Sequence, residues 1–152
     1  MKYDKIEKYF QEGEEGVTRL LLDCQDAFDT IEDYTGQLKA NIIVDIDSYK
    51  QALNVITGLY GFFEPIFNLA QAYKEIEEDK AYSNLRVQAE TEGKKLTADA
   101  LKVEAHKAVS LFIRTRNIFE SYVNITEKFI ITIQSQLNRF EKNYNNKPQE
   151  EK

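Results

Sequence analysis

The 152-residue chain is 42% hydrophobic and 30% charged, and its formal net charge is -6. This length suits one domain with a modest core, and the apolar content is too high for a disordered chain. Only six glycines and two prolines offer places to turn, so the elements should be few and long. We therefore predict an all-α fold, an elongated helical hairpin or bundle of long amphipathic helices that forms a single domain over residues 1–144.

Acidic helices are predicted over residues 3–46. After a short amphipathic piece that ends near Gly13 and Gly16, apolar residues recur mainly at steps of three and four, which places them on one helical face. This stripe comprises Val17, Leu21, Cys24, Phe28, Ile31, Leu38 and Ile42. The first 50 residues carry twelve Asp/Glu against six Lys/Arg. The acidic segment from Glu12 through Asp33 is therefore a candidate docking face for a basic partner, with a solvated helix face as the simpler alternative.

A kinked helix is predicted over residues 48–91. Ser48 and Gln51 have the spacing of a capping box. The apolar stripe that follows consists of Leu53, Ile56, Tyr60, Phe63, Phe67 and Ala70. Pro65 lies inside this stripe and removes one helical hydrogen bond, yet the apolar phase continues across it. A kinked helix is therefore favoured over two separate helices.

The clearest element is a very long helix over residues 97–144. Gly93 is the expected left-handed cap of the helix before it, and Thr97 is the expected N-cap. The stripe of the long helix comprises Leu101, Ala105, Ala108, Phe112, Thr115, Phe119, Tyr122, Thr126, Phe129, Ile133, Leu137, Phe140 and Tyr144. At 1.5 Å per residue this helix would measure about 70 Å, which is too long for a compact bundle of this size.

Part of that stripe is expected to pack on another copy of the chain, so we predict a homo-oligomer. The predicted oligomer interface consists of Phe119, Tyr122, Phe129, Ile133, Leu137 and Phe140. The helix should also pair in an antiparallel hairpin with the helix before Gly93. Residues 145–152 are polar and are predicted to form a disordered tail.

Catalytic chemistry is not indicated. His106 is the only histidine and Cys24 the only cysteine, so neither a disulfide nor a His/Cys metal site within one chain is expected. Paired carboxylates occur in charged stretches typical of solvated faces, without the desolvated pocket that acid/base catalysis requires. We predict no enzyme activity, cofactor, metal or small-molecule substrate. The charged N-terminus and short apolar runs indicate neither secretion nor membrane insertion, so a cytoplasmic location is expected.

A basic segment surrounds the turn at Gly93. Residues 85–118 contain seven basic and four acidic residues, and the basic set is nominated for nucleic-acid binding: Arg86, Lys94, Lys95, Lys102, Lys107, Arg114 and Arg116. Cations neutralise phosphates whatever the base sequence, and nearby aromatic rings can stack on unpaired bases. The alternative is a solvated helix with local charge pairs, since Arg116 with Glu120 and Glu104 with Lys107 have intrahelical pairing distance.

The stretch from Tyr73 to Tyr144 resembles the UvsY-type phage recombination mediators and related small helical phage proteins. The likeness lies in a charged helix containing Tyr73-Lys74-Glu75 and Lys80-Ala81-Tyr82, the turn from Glu90 to Thr97, and a long helix containing Arg114-Thr115-Arg116-Asn117 and Ile133-Gln134-Ser135-Gln136-Leu137. It implies a homo-oligomeric ring that binds single-stranded DNA and helps to load a recombinase, in the host cytoplasm if the chain is phage-encoded. The alternative function is a helical-bundle interaction module, an assembly factor or inhibitor, that binds a protein through its acidic face.

Overall fold

A computed structural model describes the backbone of residues 3–145 and the side chains of residues 4–142. This part of the chain is all helical, with no strand, and it confirms the predicted all-α class. Its helices are α1 (Tyr3–Gln11), α2 (Gly13–Asp23), α3 (Gln25–Lys39), α4 (Ile46–Thr91), α5 (Ala98–Ala108) and α6 (Ser110–Asn145). Among these described helices, none combines the length and apolarity needed to span a bilayer. The predicted tail, apart from Asn145, lies outside the described residues.

The backbone groups into two compact units. Within the described residues, unit 1 contains residues 3–23 together with Glu64–Ser121, and unit 2 contains Cys24–Phe63 together with residues 122–145. Helices α4 and α6 are each divided between the two units, α4 after Phe63 and α6 after Ser121. The single domain expected over residues 1–144 stays a prediction.

The N-terminal stretch forms three helices. Gly13 has a φ of 70° and begins α2, a left-handed conformation that glycine adopts without a steric penalty. Gly16 is buried where α2 meets α1. A Cβ at this position would collide with the carbonyl oxygen of Tyr9 and lie 2.7 Å from the Cβ of Glu12. Unit 1 therefore requires a residue without a side chain at position 16.

The connection from α3 to α4 differs from the sequence expectation. Asn41 has a φ of 53°, and its N–H donates to Leu38 O at 3.2 Å while that of Ile42 donates to Gln37 O at 2.9 Å. This is a Schellman motif with asparagine at the left-handed position. It leaves Ile42, predicted to be in the stripe, 63% exposed and buries Ile43 instead.

The N-terminal cap of α4 lies one turn before the predicted one. The carboxylate of Asp45 accepts from Ser48 N at 2.7 Å, and Ser48 Oγ accepts from Asp45 N at 3.3 Å. Hydrogen bonds from Ser48, first from its backbone N–H and then from its side chain, lower the pKa of Asp45. The capping box is therefore Asp45 with Ser48, and the predicted pairing of Ser48 with Gln51 is wrong because Ser48 already lies in the first turn.

Helix α4 continues through Pro65 from Ile46 to Thr91. The alternative of two separate helices is thereby excluded, while the kink stays a prediction. The predicted helix over 97–144, in contrast, is divided at Val109, which has φ and ψ of -106° and 23°. Val109 is 5% exposed, whereas the predicted stripe residue Ala108 is exposed. Burying the larger valine removes more apolar surface from water than burying alanine would.

The predicted stripes supply about half of the buried side chains of unit 1 and most of those of unit 2. In unit 1, Phe10 stacks on Tyr73 with ring centroids 5.2 Å apart. In unit 2, Phe28 stacks on Tyr122 at 4.2 Å and on Phe63 at 5.3 Å. Stacked aromatic pairs add stabilisation beyond the area that they bury. One polar group interrupts the core of unit 1, because the Thr115 hydroxyl is buried and has no hydrogen-bond partner.

We expect Gly16→Ala to lower the free energy of unfolding by about 2 kcal/mol, since the new methyl group meets fixed backbone of α1. Gly36→Ala is the matched control. Gly36 lies inside α3 with nothing within 4 Å of its virtual Cβ, so alanine there should stabilise by about 0.5–1 kcal/mol. Chemical denaturation measures both changes, and an unaffected Gly16→Ala protein would contradict the close approach of α1 and α2.

Thr115→Val should raise the free energy of unfolding by about 1 kcal/mol, because valine keeps the shape and removes an unsatisfied hydroxyl. Thr126→Val serves as the comparison. The Thr126 hydroxyl is equally buried, but it bonds to the carbonyl oxygen of Tyr122 at 2.8 Å, so its removal should bring no gain. Equal effects of the two substitutions in thermal unfolding would show that Thr115 has a partner in solution.

Candidate nucleic-acid interface

The turn between α4 and α5 is fixed by the two caps that the sequence predicts. Gly93 has a φ of 66°. Its N–H donates to Glu90 O at 3.3 Å, and that of Lys94 donates to Ala89 O at 2.9 Å, which completes a Schellman motif. On the other side, the Thr97 hydroxyl accepts from Ala100 N at 3.2 Å. The turn therefore holds its two lysines at a defined place between two helix ends.

A groove of about 300 Å³ opens at this end of unit 1, and we call it the turn groove. One face of α4, the turn itself and the start of α5 contribute its walls. The lining residues are Tyr82, Arg86, Ala89, Glu90, Lys94, Lys95, Leu96, Ala98 and Leu101. The groove thus combines three cations with one aromatic ring and two leucines, and Glu90 is its only lining carboxylate.

The cations of the turn groove are solvent-accessible. Arg86 Nε lies 3.0 Å from Glu90 Oε1, and both side chains are 65% exposed. Lys94 Nζ lies 2.6 Å from Glu92 Oε2, and this contact, together with a hydrogen bond from Gln88, lowers the pKa of Glu92. Lys95 is exposed and forms no ion pair with residues 4–142. Lys95 is therefore the cation of the groove with no charge partner inside this part of the chain.

A second groove, of about 440 Å³, lies along the same two helices, and we call it the Lys102 groove. It is lined by Glu78, Asp79, Tyr82, Lys102 and Ala105, so Tyr82 contributes to both grooves. Its charge is the reverse of that of the turn groove, with two carboxylates against one cation. This balance disfavours phosphate in the Lys102 groove.

Glu78 links α4 to α5 within unit 1. Its carboxylate lies 3.0 Å from Lys74 Nζ and 3.1 Å from His106 Nδ1. Hydrogen bonds from Lys74 first, and from His106 second, lower the pKa of Glu78. The lone histidine thus acts in a surface contact between two helices. The described side chains also include no group of three or more His, Cys, Asp or Glu arranged to hold a metal ion.

Three nominated cations lie outside both grooves. Lys107 pairs with Glu104 on its own helix at 2.8 Å, and Arg114 is exposed without an ion pair in the described range. Arg116 has contacts within the fold, and its nomination for nucleic-acid binding stays a prediction. Its guanidinium pairs with Glu120, donates to Gln71 Oε1 at 2.7 Å and lies over the Phe67 ring at 5.3 Å. Since its side chain is only 26% exposed, it joins α6 to α4 inside unit 1.

Three of the six residues in the predicted oligomer interface are buried within the chain itself. Phe119, Phe129 and Ile133 are 0%, 5% and 0% exposed within the single chain, so they have no surface left for a second copy. Tyr122, Leu137 and Phe140 are half-buried. The Tyr122 hydroxyl donates to Glu32 at 2.7 Å within unit 2, and burial, followed by this carboxylate, raises the pKa of Tyr122 to about 12. The stripe is thus largely covered by its own chain.

Tyr82 is the site residue that sequence analysis missed. Its signal was its spacing, because Tyr82 lies four residues before Arg86 and hence on the same helical face. No family model, curated protein or solved structure matches the chain.

Protonation of Glu78 should weaken the contact between α4 and α5. Because its folded-state pKa lies below the ordinary value of 4.5, its contribution to stability is complete above that value and is lost as the pH falls through the lower folded-state pKa. We expect Glu78→Gln to be less stable than the parent at neutral pH and to lose less stability on acidification. Thermal unfolding at several pH values between about 3 and 6 measures this, and parallel curves for the two proteins would contradict the role of Glu78.

Proposed function

We propose that the protein is a non-enzymatic recombination or replication accessory protein of the phage type, which binds single-stranded DNA at the turn groove and assists the loading of a recombinase. The observation that carries the DNA-binding part is the placement of Arg86, Lys94 and Lys95 around one groove with Tyr82 and Leu96. The likeness of residues 73–144 to UvsY-type mediators supports the recombinase-loading part. Homo-oligomeric assembly belongs to this proposal through the same likeness.

Electrostatics favours a local contact over a broad binding face. The whole chain carries a net charge of -6, so its long-range field repels a polyanion. Binding must then come from short-range contacts of the groove cations with phosphates. Three neutralised phosphates on a single strand would give a slope of about -2 in log affinity against log salt concentration. Such a site is weak in one copy, and repeated copies in an assembly would strengthen it by avidity.

The test measures binding of an unpaired oligonucleotide at low salt by fluorescence anisotropy. We expect the triple variant Arg86→Glu/Lys94→Glu/Lys95→Glu to abolish binding, because it replaces the three cations that line the turn groove with carboxylates. The matched control, Lys128→Glu/Arg139→Glu/Lys142→Glu, makes the same change in net charge at exposed positions of α6 in unit 2. It should retain most of the affinity.

Equal losses in the two triple variants would show that only net charge matters and would refute the turn groove as the site. Light scattering on the same sample determines the assembly state. A confirmed oligomer that binds no oligonucleotide at low salt would overturn the proposed function. A monomer would contradict the assembly part.

A second candidate function, binding of a basic protein partner, is favoured by the acidic face of α3 in unit 2. Asp26, Asp29 and Asp33 recur at steps of three and four, so they share one side of the helix. Gln25 donates to Asp29 and Gln37 to Asp33, both at 2.7 Å. These neutral donors leave the charges of the carboxylates uncompensated, and no cation in the described range pairs with them. Negative results in the oligonucleotide measurements would favour this candidate.

A further inference from the structure

Tyr82 differs from the well-packed tyrosines of the chain. The Tyr73 ring stacks on Phe10, and the Tyr122 ring stacks on Phe28 while its hydroxyl bonds to Glu32. Tyr82 is half-buried, and within residues 4–142 it has no hydrogen bond, ring stacking or cation contact. Its ring instead lines both the turn groove and the Lys102 groove. An aromatic ring in this position offers flat apolar surface to a ligand.

The charges on the two sides of Tyr82 differ, so each side suits a different part of a nucleotide. The turn groove supplies Arg86, Lys94 and Lys95, which attract phosphate. The Lys102 groove supplies Glu78 and Asp79, which repel phosphate but accept hydrogen bonds from N–H groups on the Watson–Crick edges of unpaired bases. The sugar-phosphate backbone therefore fits the turn groove, and the base fits the side that faces the carboxylates.

From this arrangement we infer that Tyr82 is the stacking platform for one unpaired base and that it gives the site its preference for single strands. The inference rests on the proposed function, because it concerns the same grooves. A base can stack on a protein ring only when it has left its own helical stack. A duplex presents the same phosphates but keeps its bases paired, so it gains the contacts with the cations and loses the contact with Tyr82.

The experiment compares three probes of equal length: an oligothymidylate, a strand of the same charge made only of abasic sugar-phosphate units, and a duplex. We expect the parent protein to bind oligothymidylate about 10-fold more tightly than the abasic strand, the effect expected for one stacked base. Tyr82→Leu should remove this ratio, so that the two strands bind equally well. Tyr82→Phe, which keeps the ring, should retain it.

The outcomes distinguish this inference from the proposed function. If the parent protein binds oligothymidylate and the abasic strand equally well, base stacking is refuted without any variant. DNA binding at the groove would still stand. A ratio that survives in a folded Tyr82→Leu protein, as judged by circular dichroism, assigns the stacking to another ring and also overturns the inference. If the parent protein binds none of the three probes at low salt, the proposed function itself is overturned.

Discussion

The left-handed backbone at Gly93 determines where the candidate site lies. Because α4 ends there in a Schellman motif and α5 begins at the Thr97 cap, the chain reverses over a few residues. The reversal brings Lys94 and Lys95 beside Arg86 and Tyr82, which belong to the previous helix. Most other residues would pay a steric penalty at this backbone angle. The position of the grooves therefore depends on a backbone constraint and not on charge.

Local signals in the sequence were sufficient for the all-α class and for this turn, and they failed where two local solutions compete. Gly93 and Thr97 are the residue types that such caps require, and both act as predicted. At the start of α4, however, Asp45 and Ser48 are both good caps, and only the backbone shows which one precedes the helix. Val109 and Ala108 are likewise adjacent apolar residues, and packing rather than periodicity decides between them.

The site was only partly predictable. The sequence shows which residues are charged, but the contacts of each charge depend on residues that are distant in the chain. The seven nominated cations could be named from the sequence, and three of them line the turn groove. The role of Arg116 is set by Gln71 and Phe67, two residues on another helix that no spacing rule connects to it. The same limit applies to the predicted oligomer interface. Periodicity identified an apolar face, but it could not show that the same chain covers Phe119, Phe129 and Ile133.

Exposure separates the cations that can exchange their partners from those that cannot. Arg86 and Glu90 are both largely exposed, and ion pairs of this kind contribute about 1 kcal/mol or less. A phosphate that replaces the carboxylate of Glu90 therefore has little to overcome, and the same holds for Lys94 and Glu92. Arg116 would instead leave a hydrogen bond, an ion pair and an aromatic ring in a part-buried place. The local ion pairs of the turn groove are thus compatible with anion binding, whereas the contacts of Arg116 maintain the fold.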